Sequence, residues 1–511
     1  MDASSKIPEG ILFGTFSTFG SYDECIAEMN IDEDTMAYYY ILKHRIGLCI
    51  PSTCTYEDVQ NVTKNRNLKQ FSYAFSAYRN TCKILNTSIP SNHLSALYGI
   101  KFLSMTWIML GHVYYCKDYL TLAGLNRIRD LGSNFAFQVV LNTAFAADTF
   151  FFLSGLLVVY STFQFLENND GKFTIVGFYI KRYCRLTPAF LMISGVILLG
   201  PLIGSGPIWN ETLEPFVTGC QNYWWTNLFY FSNFIPTDKT ATEDGVITYC
   251  NWYNNIYCFF RIYNICIRSA TSFTFFSLPD QKDINEYLDT IGYKPYAHYA
   301  AYCIGMATGF LLSAKQKIPL GKWVQIIGWC LATTCCTLVV YGTWKWNSGN
   351  LPEWYISVAY ATCSRAVWSL GIAWLVVTCY AGYGGIVNTI LSWHGFIPLS
   401  RLSYLAYLIH PLLMYLYASY VRSPFYFSQY VVVYLYFGHL CVTFGLAFIF
   451  SLTFELPFLN LEKIISKRLD QNRRKRRASF THYYPNWQHP EYPEIKDSVV
   501  LMRRRTDRFI T

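Results

Sequence analysis

The stretch Ala96-Leu97-Tyr98-Gly99-Ile100-Lys101-Phe102-Leu103-Ser104-Met105-Thr106-Trp107-Ile108-Met109-Leu110-Gly111-His112-Val113-Tyr114-Tyr115 decides the fold. Twenty helical residues at about 1.5 Å each match the ~30 Å hydrocarbon core of a bilayer. The alternation that a lipid-facing barrel strand requires is absent. Lys101 and His112 are the only basic or acidic side chains between Leu97 and Tyr115. Eleven residues at about 100° each return them to within about 20° of one face, roughly 16 Å apart along the axis. Inside a span, such groups face the bundle interior or a wet cavity, because lipid penalises them by several kcal/mol. A snorkelling lysine with an interhelical hydrogen-bonding histidine accounts for the pair as well as a proton-transfer site does.

Outward from that span the same text recurs. Further apolar runs lie near Phe137 to Phe163, Leu186 to Ile203, Tyr249 to Phe276, Tyr299 to Ala314, Trp323 to Gly342, Tyr355 to Tyr380, Phe396 to Tyr420 and Tyr430 to Phe454. They predict an all-α, multi-pass transmembrane helical bundle of about nine to ten spans. The run from Tyr249 is interrupted by Asn251, Asn254, Asn255, Arg261, Asn264 and Arg268, and the aromatic segment Tyr223 to Phe231 suits an interfacial or re-entrant position. Composition agrees: 52% of the 511 residues are hydrophobic and 14% charged, against about a quarter charged in soluble proteins. A mean hydropathy of +0.19 over the whole chain excludes a water-soluble globular protein.

The flanks differ from the core. Residues 1–70 read as a partial lumenal or extracellular module, 71–94 as a connecting segment, 95–462 as the membrane core and 463–511 as a cytosolic tail. The tail holds thirteen Lys/Arg against five Asp/Glu, a surplus of eight out of the chain's formal +9. The run Arg473 to Arg477 follows the positive-inside rule and suits anionic lipid heads. Cys25, Cys49 and Cys54 sit in the polar N-terminal text with the sequon Asn61-Val62-Thr63, as an oxidised, glycosylated module would. Their pairing stays open: one bonds a more distant cysteine, Cys82 being the nearest, or its partner is absent. Other cysteines, Cys330, Cys335, Cys336, Cys379 and Cys441 among them, lie in apolar runs as small hydrophobes.

Three more polar constellations interrupt the apolar text. Asp148 precedes Thr149-Phe150-Phe151-Phe152-Leu153-Ser154-Gly155, and a carboxylate in a span needs a cation or a hydrogen-bonded site, with His112 or an arginine as candidates. Ser154-Gly155 permits a close helix approach. Arg182 and Arg185, with Lys181 beside them and Pro188 after, form on a helix a fork that grips phosphate or carboxylate; positive-inside flanking explains them equally. Finally, Ser403-Tyr404-Leu405-Ala406-Tyr407-Leu408-Ile409-His410-Pro411 buries a lone histidine mid-span, with Arg401 near the mouth and Arg365 in the preceding span. Packing or interhelical bonding is the plain reading of each taken singly.

These four segments, in this order, resemble the acyltransferase-3 family, in its animal branch named for nose resistance to fluoxetine. Lys101 and His112 match the family's basic residue, ten residues and histidine. Asp148 to Gly155 resembles its acidic-aromatic FFxxSG stretch, Arg182, Arg185 and Pro188 its RxxR-before-proline motif, and Ser403, Tyr404, Tyr407 and His410 its SYxxYLxH motif. The ending Phe454-Glu455-Leu456-Pro457 is similar to the family's close, and Gly20 to Cys25 with Gly47 to Cys54 are similar to the branch's cysteine-bearing ectodomain.

The resemblance implies a membrane-bound transfer of an acyl group from acyl-coenzyme A to a hydroxyl of a lipid or other small acceptor. His112 would take the acceptor's proton, with Asp148 as an orienting partner and His410 positioning the acceptor or stabilising the oxyanion. Lys101, Arg182 and Arg185 would bind the donor's phosphates at the cytosolic mouth, with Ser154, Tyr404 and Arg365 in acceptor-binding or supporting roles. No metal or permanently bound cofactor is implied; the partners are membrane lipids, acyl-coenzyme A and the acceptor, and not nucleic acid. The rival expectations are a membrane carrier, for which the same cations line a substrate path, and an inactive scaffold.

Animal members usually carry a spanning helix between ectodomain and core and a Trp-Tyr-rich helix after the Trp-Trp-Asn segment. Residues 55–94 and 247–267 lack them, and no signal peptide precedes the module, which predicts either omitted pieces of the chain or a diverged, inactive member. The expected compartment is the plasma membrane or the endoplasmic reticulum, and under the family topology Asn210-Glu211-Thr212 is lumenal whereas Asn86-Thr87-Ser88 is not.

Overall fold

In the computed structural model, the described residues are 73–88, 94–115, 131–168, 175–229, 295–314, 319–350, 352–423, 428–466 and 468, with strands at 17–18, 36–41, 45–51, 122–123 and 425–426. The chain divides into two compact units, Met1–Ser76 and Ala77–Thr511. In the first, β1 (Ser17–Thr18) runs parallel to β3 (Arg45–Pro51), and β2 (Met36–Ile41) pairs antiparallel with β3 so that Tyr38 faces Cys49. Cys25 and Cys54 lie outside the described residues.

The second unit is helical. Helix α1 (Ala77–Leu85) precedes α2 (Ala96–Tyr115), and the short α3 (Gln138–Leu141) leads into α4 (Ala144–Asn168). Helices α5 (Ile175–Ile203) and α6 (Trp209–Leu228) follow. After a 3-10 turn at Pro295–His298 come α7 (Tyr299–Ser313), α8 (Lys322–Tyr341), the single turn α9 (Trp344–Asn347) and α10 (Trp354–Tyr380). Helix α11 (Gly385–Leu391), α12 (Phe396–Tyr420) and α13 (Gln429–Phe450) close the bundle. A two-residue parallel pairing, β4 (Leu122–Ala123) with β5 (Phe425–Tyr426), ties two loops.

Five helical stretches among the described residues are long and apolar enough to cross a bilayer: Ala144–Glu167, Ile175–Ile203, Lys322–Asn347, Tyr355–Tyr380 and Gln429–Ser466. Their outward faces stay apolar; α8 exposes Trp323, Ile326, Ile327, Leu331 and Leu338, as a helix facing lipid would. Tyr299–Ser313 is apolar but shorter than a span. The run from Phe137 divides into Gln138–Leu141 and Ala144–Asn168, and at the break the Asn142 amide donates to the carbonyls of Gln138 and Val340. The run from Tyr249 lies outside the described residues, and the aromatic segment at Trp224 belongs to α6.

Helix α2 organises the packing. Met105, Met109 and Val113 join a core with α5, α12 and α13, while Ala96, Leu97 and Ile100 join a second core with α4, α7 and α10. Lys101 and His112 thus emerge between two packed clusters. Helices α4 and α7 approach to backbone contact: a Cβ on Gly305 would overlap the Phe152 carbonyl, and one on Gly309 the Leu156 carbonyl. Small residues serve this purpose in membranes, where close packing rather than water exclusion holds helices together.

Candidate functional site

His112 of α2 and His410 of α12 meet. His410 Nε2 lies 3.1 Å from His112 Nδ1, with the rings stacked at 5.0 Å between centroids. The His410 imidazole turns back along its own helix, Nδ1 lying 3.1 Å from the Ala406 carbonyl. A carbonyl only accepts, so His410 Nδ1 carries the proton and its Nε2 presents a lone pair. His112 Nδ1 then donates to that lone pair, which leaves His112 Nε2 unprotonated and able to act as a base. Tautomers assigned from the hydrogen-bond network thereby give the two imidazoles distinct tasks.

Asp148 belongs to a different group. Its Oδ1 lies 2.6 Å from His298 Nδ1 and 3.5 Å from Arg365 Nη1. Arg365 Nη1 also stands 2.7 Å from that same His298 Nδ1 and 3.2 Å from its Nε2, and the His298 ring stacks on Phe151 at 4.3 Å. The carboxylate is buried, and its Oδ2 has no hydrogen-bond partner among the described residues. Of the two partners expected for it, the structure brings the arginine and not His112. His298 is the residue that sequence reasoning missed. It sits one position before the apolar run from Tyr299, where it reads as a flank; Tyr299 opens α7, so His298 is held at the helix mouth by the 3-10 turn. Beside Asp148, Trp368 Nε1 donates to Thr149 Oγ1 at 2.9 Å, and its ring meets Trp107 of α2 at 5.5 Å.

Arg182 and Arg185 are on α5, whose helix begins at Ile175, ahead of the apolar run. Arg182 Nη2 donates to Ser154 Oγ at 3.2 Å, joining two of the predicted segments. Arg185 lies within electrostatic range of Lys101 and of the buried Glu455. Glu455 closes a π-helical turn, Ser451–Glu455, where Ser451 Oγ donates to Glu455 Oε2 at 2.9 Å. π turns recur at functional positions. Tyr404 donates to the Leu186 carbonyl at 3.1 Å, which fastens α12 to α5.

The same end of the bundle carries further cations. Arg401 Nη1 donates to the carbonyls of Lys83, Ile84 and Asn86 at 2.8, 2.7 and 2.6 Å, capping the C-terminal end of α1. Burial, then Lys463 and Arg401, holds the Lys83 ammonium below the ordinary lysine range, with Glu455 opposing. Crowded like charges of this kind attract an anion. No group of three or more His, Cys, Asp or Glu side chains among the described residues is arranged to hold a metal ion.

No protein-family model and no solved structure matches the chain. It is 27% identical over 471 residues to nose resistant to fluoxetine protein 6 of Caenorhabditis elegans. That alignment takes in 82% of this chain and 57% of the relative, so the chain spans little more than half the relative's length.

Proposed function

We infer that the chain is a membrane-embedded acyltransferase, moving an acyl group from acyl-coenzyme A to a hydroxyl of a lipid or other small acceptor. The observation that carries this reading is the His112–His410 pair, set roughly 16 Å along one helix from Lys101, which shares its end of the bundle with Arg185. Similarity to nose resistant to fluoxetine protein 6 and the four acyltransferase-3-like segments support it.

The chemistry follows from the tautomers. The acceptor oxygen attacks the thioester carbonyl while His112 Nε2 takes its proton; the new C–O bond forms, the C–S bond breaks, and the coenzyme thiolate leaves with that proton. His410 holds His112 in the required tautomer and disperses the positive charge of the imidazolium, as the acidic member of a triad does for its histidine. Lys101 and Arg185 attract the donor's phosphates, and Arg182, held by Ser154, completes the fork.

His112→Ala is expected to lower acyl transfer by about 10²–10⁴-fold with at most the modest stability loss of unpairing buried His410, read as labelled ester formed by folded protein in nanodiscs. Full transfer in that variant would remove His112 as the base. A carrier would instead move solute into liposomes without consuming acyl-coenzyme A.

A further inference from the structure

Helix α1 presents two unlike faces. Asn80 and Ile84, four residues apart, are buried, whereas Tyr78, Cys82 and Leu85 make an exposed apolar stripe, since seven helical residues return Leu85 to within about 20° of Tyr78. Tyr78 is 79% and Leu85 54% exposed. Beside the stripe, Lys83 Nζ donates to Asn460 Oδ1 at 3.0 Å, and the Lys83 and Lys463 ammonium groups lie within hydrogen-bonding range of each other. Both only donate, so a single anionic oxygen between them would accept from each. Glu455 and Glu462, on the same helical stretch as Lys463, accept from the hydroxyls of Ser451 and Ser466 at 2.9 and 2.8 Å. That stretch, Gln429–Ser466, is 38 residues long, roughly 57 Å against a hydrocarbon core of ~30 Å. Glu455 lies within electrostatic range of Arg185, one residue before the apolar run from Leu186, and Lys463 stands eight residues beyond Glu455, roughly 12 Å along the helix. The lysine pair and α1 are therefore at the depth of the lipid headgroups.

We propose that α1 is an interfacial anchor: its Tyr78–Cys82–Leu85 stripe enters the headgroup region of the bilayer, and the Lys83–Lys463 pair takes the phosphate of an anionic phospholipid there. A helix that carries an apolar stripe beside cations lies along a membrane surface and favours anionic lipid. The two features call for one occupant. A soluble phosphate would engage the lysines and leave the stripe in water, whereas a phospholipid leaflet offers apolar and anionic surface side by side. The tail that begins at Lys463, with its surplus of eight positive charges, draws the same lipids to this end of the bundle. Arg401 supports the anchor from behind: its Nη1 is engaged with the carbonyls of Lys83, Ile84 and Asn86, and so holds the helix that carries Lys83. The anchor is independent of the acyl-transfer reading, because it draws on none of His112, His410, Lys101, Arg182 or Arg185.

The test uses the full-length protein in maltoside micelles, titrated with phosphatidylglycerol or phosphatidylcholine and read by native mass spectrometry, with hydrogen exchange over 77–85 in nanodiscs as a second arm. The tightest copy of phosphatidylglycerol is expected to bind roughly 30-fold more tightly than phosphatidylcholine, as two lysines near an anionic surface provide. Lys83→Gln combined with Lys463→Gln should remove that margin, and both side chains are exposed, so the packing stays intact. In nanodiscs, adding phosphatidylglycerol to phosphatidylcholine should slow exchange over 77–85 in the wild type and not in the lysine variant; Tyr78→Ser with Leu85→Ser should speed it in either lipid. Equal binding of the two lipids, wild-type selectivity in the lysine variant, or unchanged exchange in the stripe variant overturns the proposal. Displacement of the tightest lipid by coenzyme A overturns it as well and assigns the lysines to a soluble phosphate. A lipid-free dimer abolished by the stripe variant overturns it in favour of a contact between copies of the chain.

Discussion

At the scale of single residues, the two histidine groups differ in what holds them. His112 and His410 are neutral neighbours whose protons are ordered by one backbone carbonyl, while His298 Nδ1 meets both a carboxylate and a guanidinium. Removing one partner of a buried charge pair strands the other, at a cost of about 3–5 kcal/mol. Asp148→Ala is therefore expected to destabilise the protein by about that much, and Arg365→Met added to it should restore a substantial part. Denaturation of the single and double variants in micelles measures this coupling; strictly additive losses would show that the two side chains do not depend on each other. Asp148 was legible in the sequence as a carboxylate in need of a cation, and Arg365 as a cation in need of a partner. That they find each other through His298 was not legible, because the three lie 150 and 67 residues apart in the chain.

At the scale of elements, the contact of α4 with α7 combines backbone approach at glycines with side-chain packing such as Phe163 against Phe310. The sequence shows Ser154-Gly155 as a site for close packing, and Gly305 and Gly309, four apart on α7, supply the other half. Gly305→Leu forces a side chain into the Phe152 carbonyl and is expected to cost at least about 1–3 kcal/mol. The melting temperature should fall, and hydrogen exchange along 144–168 and 299–313 should rise. Unchanged exchange in both helices would mean that they do not touch as described. Displacement of α4 also disturbs Asp148 and Ser154, so activity should fall with stability rather than independently of it.

At the scale of the whole molecule, α1 is fastened to the bundle through polar atoms: Arg401 takes three carbonyls near its end, and Asn460 joins Lys83 and Asn80 at 3.0 Å each. Hydrogen bonds from a charged donor are worth about 1.5–3 kcal/mol, so Arg401→Ala should free α1 with the membrane bundle intact. Faster hydrogen exchange confined to 77–88 is the expected result; protection equal to the wild type would show α1 held by packing alone. The helical class, the long apolar runs and the polar residues that interrupt them follow from sequence alone, because a bilayer demands long apolar helices and penalises every exception; against the nine to ten spans expected, five stretches among the described residues are long and apolar enough to cross. Phe396–Tyr420 is the same segment by either route. Partnership is what tertiary structure decided. Helical period places Lys101 and His112 on one stripe, yet only the crossing of α2 with α12 gives His112 a neighbour 298 residues away, and only the seating of α7 against α4 turns a flanking histidine into the partner of Asp148. Periodicity relates residues along a single helix, whereas these contacts depend on which helices lie side by side, and that is set by packing among all of them at once.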